Sequence, residues 1–121
     1  MHRTRLMRRI ISFPESVYNA LCTHCSTQEL YKSEVVRVAV ADLARQPEGA
    51  EVHHPRRWSQ SYQGTRRRRL AMVLSAEFDM EMRRAAVRYR RSVNAFYTLA
   101  VESWLLRQQY GLEAQQTLLA A

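Results

Sequence analysis

Arg66-Arg67-Arg68-Arg69-Leu70-Ala71-Met72-Val73-Leu74 decides how this chain is read, because Arg8-Arg9-Ile10-Ile11-Ser12-Phe13-Pro14 has the same design. In both stretches arginines run into a short alternating apolar segment, and a pattern of helical period follows. Phe13 has its counterpart 61 positions later in Leu74. The same step takes Val17 to Phe78, Leu21 to Met82, Ser33 to Asn94 and Ala39 to Ala100. Val40 goes to Val101 and Leu43 to Trp104, so no gap interrupts the correspondence. The chain is a unit written twice.

With 121 residues the protein is one compact domain, or two small units that need each other. A unit of about 45 residues buries too little apolar surface to offset its ordering entropy. Two packed together share one core. The formal net charge is +8, and of the 19 basic residues only Lys32 is not arginine. Arginine is favoured where a planar, bidentate donor meets phosphate or a guanine edge. Clustered as well as abundant, this charge points to nucleic acid.

Cys22 and Cys25 are too few and too close for a secreted disulfide framework, so a reducing bacterial cytoplasm is the expected compartment. No apolar run is long enough to span a membrane, and Ile10-Ile11 is too short for a signal-peptide core.

Residues 1–46 read as a basic arm followed by strand, helix and helix. Pro14 suits the first turn of the first helix, whose apolar face is Val17, Leu21 and His24/Cys25. Ser33 is a good N-cap for the second helix, which carries Val35, Val36, Ala39, Val40 and Leu43. Residues 47–65 form a linker punctuated by Pro47, Gly49, Pro55 and Gly64, with Arg56, Arg57, Trp58 and Tyr62 inside it. Residues 66–109 repeat the plan. Ser75 caps a helix presenting Phe78, Met82, Ala85/Ala86 and Tyr89, and Asn94 is expected to cap a last helix with Phe96, Tyr97, Ala100, Val101, Trp104 and Leu105. Gly111 should stop that helix and leave 110–121 as a short tail.

This order resembles the ribbon-helix-helix family of DNA-binding proteins. The resemblance is carried by Phe13-Pro14-Glu15-Ser16-Val17, by Ser33-Glu34-Val35-Val36-Arg37 with Ala39-Val40, and by Ser92-Val93-Asn94-Ala95-Phe96 with Ala100-Val101. It implies a mainly α fold with one two-stranded antiparallel ribbon, which in that family is formed by two chains and lies in the major groove. Here both strands belong to one polypeptide, so a single-chain pseudo-dimer and an asymmetric DNA site are implied. Tandem versions serve as accessory factors in plasmid conjugation and T-DNA transfer, and the VirC-type overdrive-binding proteins of tumour-inducing plasmids look most similar.

Strand side chains alternate faces, so with Leu70, Met72 and Leu74 inward, Arg69, Ala71 and Val73 point outward. Arg8, Ile10 and Ser12 are their counterparts. The resemblance makes these six the base-contacting residues, with Arg8 and Arg69 suited to guanine, Ser12 to accepting or donating and the apolar three to thymine methyls. The alternative, slightly favoured because Ile10, Ala71 and Val73 depart from the polar residues usual there, is that the ribbon reads few bases and leaves affinity to phosphates and specificity to DNA shape. Arg9 falls on the inner face and is expected to snorkel outward. Phosphate contacts are expected from Lys32 and Ser33, from Arg91 and Asn94, and from Arg3, Arg5, Arg66, Arg67 and Arg68.

Cys22-Thr23-His24-Cys25 has metal-ligand spacing, but Cys25 falls on an apolar face and reads as core, with Cys22 exposed. Glu77, Asp79 and Glu81 read as a solvated first helical turn. No cofactor, metal site or catalysis is expected. The rival readings are an antitoxin that represses its own promoter, and an RNA-binding module. Association beyond the pseudo-dimer, with like copies or with transfer-complex proteins, is left open.

Overall fold

The computed structural model describes the backbone of residues 5–47 and 65–120, and side chains as far as residue 109. It is mainly helical, with one two-stranded antiparallel sheet. In chain order the elements are β1 (Leu6–Pro14), α1 (Glu15–Gln28), α2 (Lys32–Ala44), β2 (Arg67–Ser75), α3 (Ala76–Arg88) and α4 (Val93–Ala120).

β1 and β2 pair in a register that sets Ile10 opposite Ala71, Arg8 opposite Val73 and Ser12 opposite Arg69. Two bonds close the ribbon at its ends: Glu15 N–H donates to the Arg66 carbonyl at 2.9 Å, and Ala76 N–H to that of Arg5 at 2.8 Å. The inner face carries Ile11, Phe13, Met72 and Leu74, all buried. Beneath it the helices supply Val17, Leu21, Val36, Ala39, Val40, Met82, Phe96, Tyr97, Ala100 and Val101 to one core, in which α2 and α4 pack most extensively. Cys25 belongs to that core, while Cys22 is half-buried rather than exposed.

Each helix starts where local chemistry allows it. Pro14, at φ −56° and ψ 143°, ends β1 and opens α1. Ser75 accepts from Phe78 N–H at 3.1 Å and caps α3, as expected. The remaining caps differ from the sequence reading. Ser92, not Asn94, caps α4 by accepting from Ala95 N–H at 3.2 Å. α2 begins at Lys32 with Tyr31 in the cap position and no side-chain cap, so Ser33 lies inside the helix.

α1 ends on Glu29 in the left-handed region at φ 55°, and α3 is followed by Arg90 at φ 54°. There Leu30 N–H returns to the Cys25 carbonyl and Arg91 N–H to that of Ala86, the bond that closes a Schellman turn.

α4 does not stop at Gly111 but runs on to Ala120, across the boundary expected at 110. One glycine costs a helix only about 1 kcal/mol relative to alanine, and the following Leu112-Glu113-Ala114-Gln115-Gln116 are strong helix formers.

Trp104 stands at the rim, partly buried, with His24 meeting its ring edge-on at a centroid distance of 5.1 Å. The centre of the core is Phe13, Phe96 and Tyr97. Phe13→Ala should therefore cost about 3–5 kcal/mol in urea unfolding, and Trp104→Ala visibly less.

Burial holds the His24 imidazole below its ordinary pKa of 6.5, so the folded chain takes up its proton less readily than the unfolded chain. Its contribution is complete above that ordinary value and is lost as pH falls through the lower folded one. The urea midpoint should fall as pH is lowered below the ordinary value of 6.5, and His24→Phe should flatten that fall.

Candidate nucleic-acid interface

The alternation of β1 and β2 brings all six outward residues together as three cross-strand pairs on one face. Arg8, Ile10, Arg69, Ala71 and Val73 are exposed and Ser12 is half-buried. Ile10 and Val73 keep 52% and 54% of their surface, which is high for β-branched residues in a sheet. Arg8 and Arg69 lie on opposite strands, and neither guanidinium bonds to a described side chain or backbone group. The face has a guanidinium toward each end and an apolar middle.

Arg67 belongs to this face as well. It lies two residues before Arg69 and opposite Pro14, and its guanidinium folds over the ribbon end. Nε donates to Ser12 Oγ and Nη2 to the Ser12 carbonyl, both at 2.7 Å. The Ser12 hydroxyl thus accepts one bond within the face and keeps its own O–H to donate. The signal was available, since a step of two keeps a strand residue on the same face.

A two-stranded ribbon has two open edges, and here the helices close them. Asn94, the second residue of α4, accepts the Ser12 N–H on Oδ1 at 3.1 Å. That bond fixes the amide with its NH₂ turned from the strand, free to donate. On the other edge Arg37 of α2 donates to the Val73 carbonyl at 2.8 Å. No contact is expected of Arg37 from sequence, because neither helical period nor charge tells which strand atom an arginine reaches.

At the start of α2, Lys32 Nζ donates to the Tyr18 hydroxyl at 3.1 Å and lies 5.1 Å from the ring centroid. The Arg68 guanidinium stands 5.3 Å from the same ring. Ser33 is half-buried beside Lys32, and Arg91 is exposed just before α4. Arg5 and Arg66 are exposed at the two ribbon ends, while Arg3 lies outside the described residues, as do Arg56, Arg57, Trp58 and Tyr62 of the linker.

Two sequence expectations fail beneath the ribbon, and they fail together. Arg9 does not turn outward but forks onto Asp79, Nε to Oδ1 and Nη2 to Oδ2, the latter at 3.0 Å. Asp79 is not a solvated first-turn acid, since its side chain is 3% exposed against 24% for Arg9. The fork and the carboxylate's charge hold the Arg9 pKa above its ordinary value. The Tyr97 hydroxyl is buried near this pair without a hydrogen-bond partner, and burial, then the Asp79 charge, push its pKa up to about 12.

Among the described residues no group of three His, Cys, Asp or Glu could hold a metal ion, and no helix is long and apolar enough to cross a membrane. No family model, curated protein or solved structure matches the chain.

Arg9→Met would leave the Asp79 carboxylate buried with only Arg83, 3.8 Å away and largely exposed. It should cost about 3 kcal/mol, the lower end for a broken buried pair. Tyr97→Phe next to it removes an unpaired hydroxyl and should leave the urea midpoint unchanged or raised.

Proposed function

We propose that the chain is a single-chain pseudo-dimer that binds double-stranded DNA by laying the outer face of its ribbon in the major groove. The observation that carries this reading is the outer face itself, with Arg8 and Arg69 exposed and unengaged by described residues on either side of Ile10 and Ala71. The major groove is about 12 Å wide and admits a two-stranded ribbon. Arg8 and Ser12 are four residues apart, about 13 Å along a strand at ~3.3 Å per residue, comparable with four base steps. A guanidinium fork matches the paired acceptors of a guanine edge, and Ile10, Ala71 and Val73 match thymine methyls.

The two-fold character is supported by features that recur at the same spacing. Glu29 and Arg90, the two non-glycine residues of positive φ among those described, are 61 positions apart. So are the closing bonds of the two helix turns, Leu30 to Cys25 and Arg91 to Ala86, and the two bonds that bracket the ribbon. Ile10 pairs with Ala71, its own counterpart, as a two-fold axis through the ribbon centre requires. Because the halves differ in side chains, the preferred site is asymmetric.

Phosphates flanking the groove are met by the free N–H groups at the starts of α2 and α4, with Lys32, Ser33, Arg91 and the Asn94 NH₂ beside them. Arg5, Arg66 and Arg68 extend this at the ribbon ends. The setting that goes with this reading is accessory action at a plasmid or T-DNA transfer site.

The test is binding to random-sequence and selected duplexes at several salt concentrations. Each phosphate neutralised contributes about −0.9 to the log–log salt slope, so a steep slope is expected. Arg8→Ala with Arg69→Ala should weaken selected-site binding by about tenfold or more and random-duplex binding less. Equal losses would remove the reading face. Absence of duplex binding at low salt would remove DNA as the ligand.

A further inference from the structure

The two halves are built alike but are not interchangeable, and one buried contact separates them. The counterpart of Arg9 is Leu70, and the counterpart of Asp79 is Tyr18. Where the first position holds a forked ion pair, the second holds an aliphatic side chain and a phenol, both partly buried against the core. Lys32 and Arg68 gather over that phenol ring instead. The charge pair occurs once where the repeat offers two places.

We propose that the Arg9–Asp79 pair makes the two halves each other's partners and excludes pairing of like halves between copies of this chain. The inference rests on the pseudo-dimer reading above. Two copies joined through their second halves would set each Asp79 against Leu70, burying two carboxylates without a fork. Their nearby cations would be Arg83 and Arg68, the residue that here stands over the Tyr18 ring, and both are exposed rather than buried with the carboxylate. Two copies joined through their first halves would set each Arg9 against Tyr18. At 24% exposure Arg9 can partly turn to water, so exclusion is stronger against second-half pairs.

The apolar contacts cannot discriminate in this way. Ile11 and Phe13 correspond to Met72 and Leu74, all four are buried, and any of them packs against another apolar side chain. One polar residue fixes partner and register in a coiled-coil seam by the same logic.

Ile10 and Ala71 lie opposite each other, so they report which halves have paired. In a second-half pair, Ala71 would face Ala71 of another copy. Full chains carrying Ala71→Cys are oxidised at increasing protein concentration, with the unsubstituted chain as control for cross-links through Cys22 and Cys25. With Arg9 and Asp79 present, between-chain product should stay at the control level.

Arg9→Leu with Asp79→Tyr reproduces the Leu70 and Tyr18 pairing at both places. It should raise between-chain product by about tenfold or more and shift the light-scattering mass toward a dimer. If circular dichroism shows that this variant does not fold, the isosteric Asp79→Asn is read in the same assay, with a rise again expected. No rise in a folded variant overturns the proposal. A separate chain with Ile10→Cys and Ala71→Cys should close a disulfide within itself. Failure there would remove the ribbon and the reading beneath it, whereas closure without a rise in like pairing overturns this inference alone.

Discussion

Everything in this molecule depends on burying one face of a ribbon whose two strands lie far apart in sequence. A two-stranded sheet alone in water is marginal at best. β1 and β2 are not joined by a tight turn, so their pairing must also offset the closure entropy of the long connection between them. The offset comes from Ile11, Phe13, Met72 and Leu74, which reach the core only if both strands are present and in register. A slip of one residue would turn these four to water and carry Arg8, Ile10, Arg69 and Ala71 inward. The register that builds the core is thus the register that creates the outer face. Core and outer face are set by the same pairing.

The same economy holds at the ribbon edges. Open strand edges invite pairing with other chains, and each backbone group left there must find a partner or water. Asn94 takes the Ser12 N–H, Arg67 donates to the Ser12 carbonyl, and Arg37 donates to that of Val73. Two of these contacts come from helices, so they also fix where α2 and α4 start relative to the ribbon. A group such as the Asn94 amide is held in one orientation by its structural bond, which leaves its donors aimed elsewhere. Edge protection and the orientation of an exposed donor become one feature.

How much of this was legible in the sequence follows from the range of the interactions involved. Strand alternation and helical period are local, and they placed Leu70, Met72 and Leu74 inward and Arg8, Ile10, Arg69, Ala71 and Val73 outward. The Ser75 cap is also local and was readable. The caps of α2 and α4 were misread because Ser33 and Asn94 have good cap chemistry, yet the chain turns two residues earlier, behind Glu29 and Arg90. Asp79 departs from its local pattern for a different reason. In the first turn of α3 it looks like an acid answering the helix dipole, and nothing within its own helix says that Arg9 lies above it, 70 residues away in the chain. Buried charge is a tertiary property, and each partner alone looks like a surface residue.

A repeated unit sets a problem that a single-copy fold does not meet. If the halves were identical, pairing within one chain and pairing between chains would use the same contacts, and only effective concentration would favour the closed monomer. On the pseudo-dimer reading proposed above, divergence at the inner face would resolve this at small cost to the core, because one polar pair among many apolar contacts would decide the partner while the rest supply the energy. The outer face diverges too, with Ser12 tied to Arg67 on one side and Val73 bare on the other. Halves that could not exchange places would give each outward residue one defined position on the ribbon. Under the proposed function, that would let an unsymmetrical face meet its ligand in a single orientation.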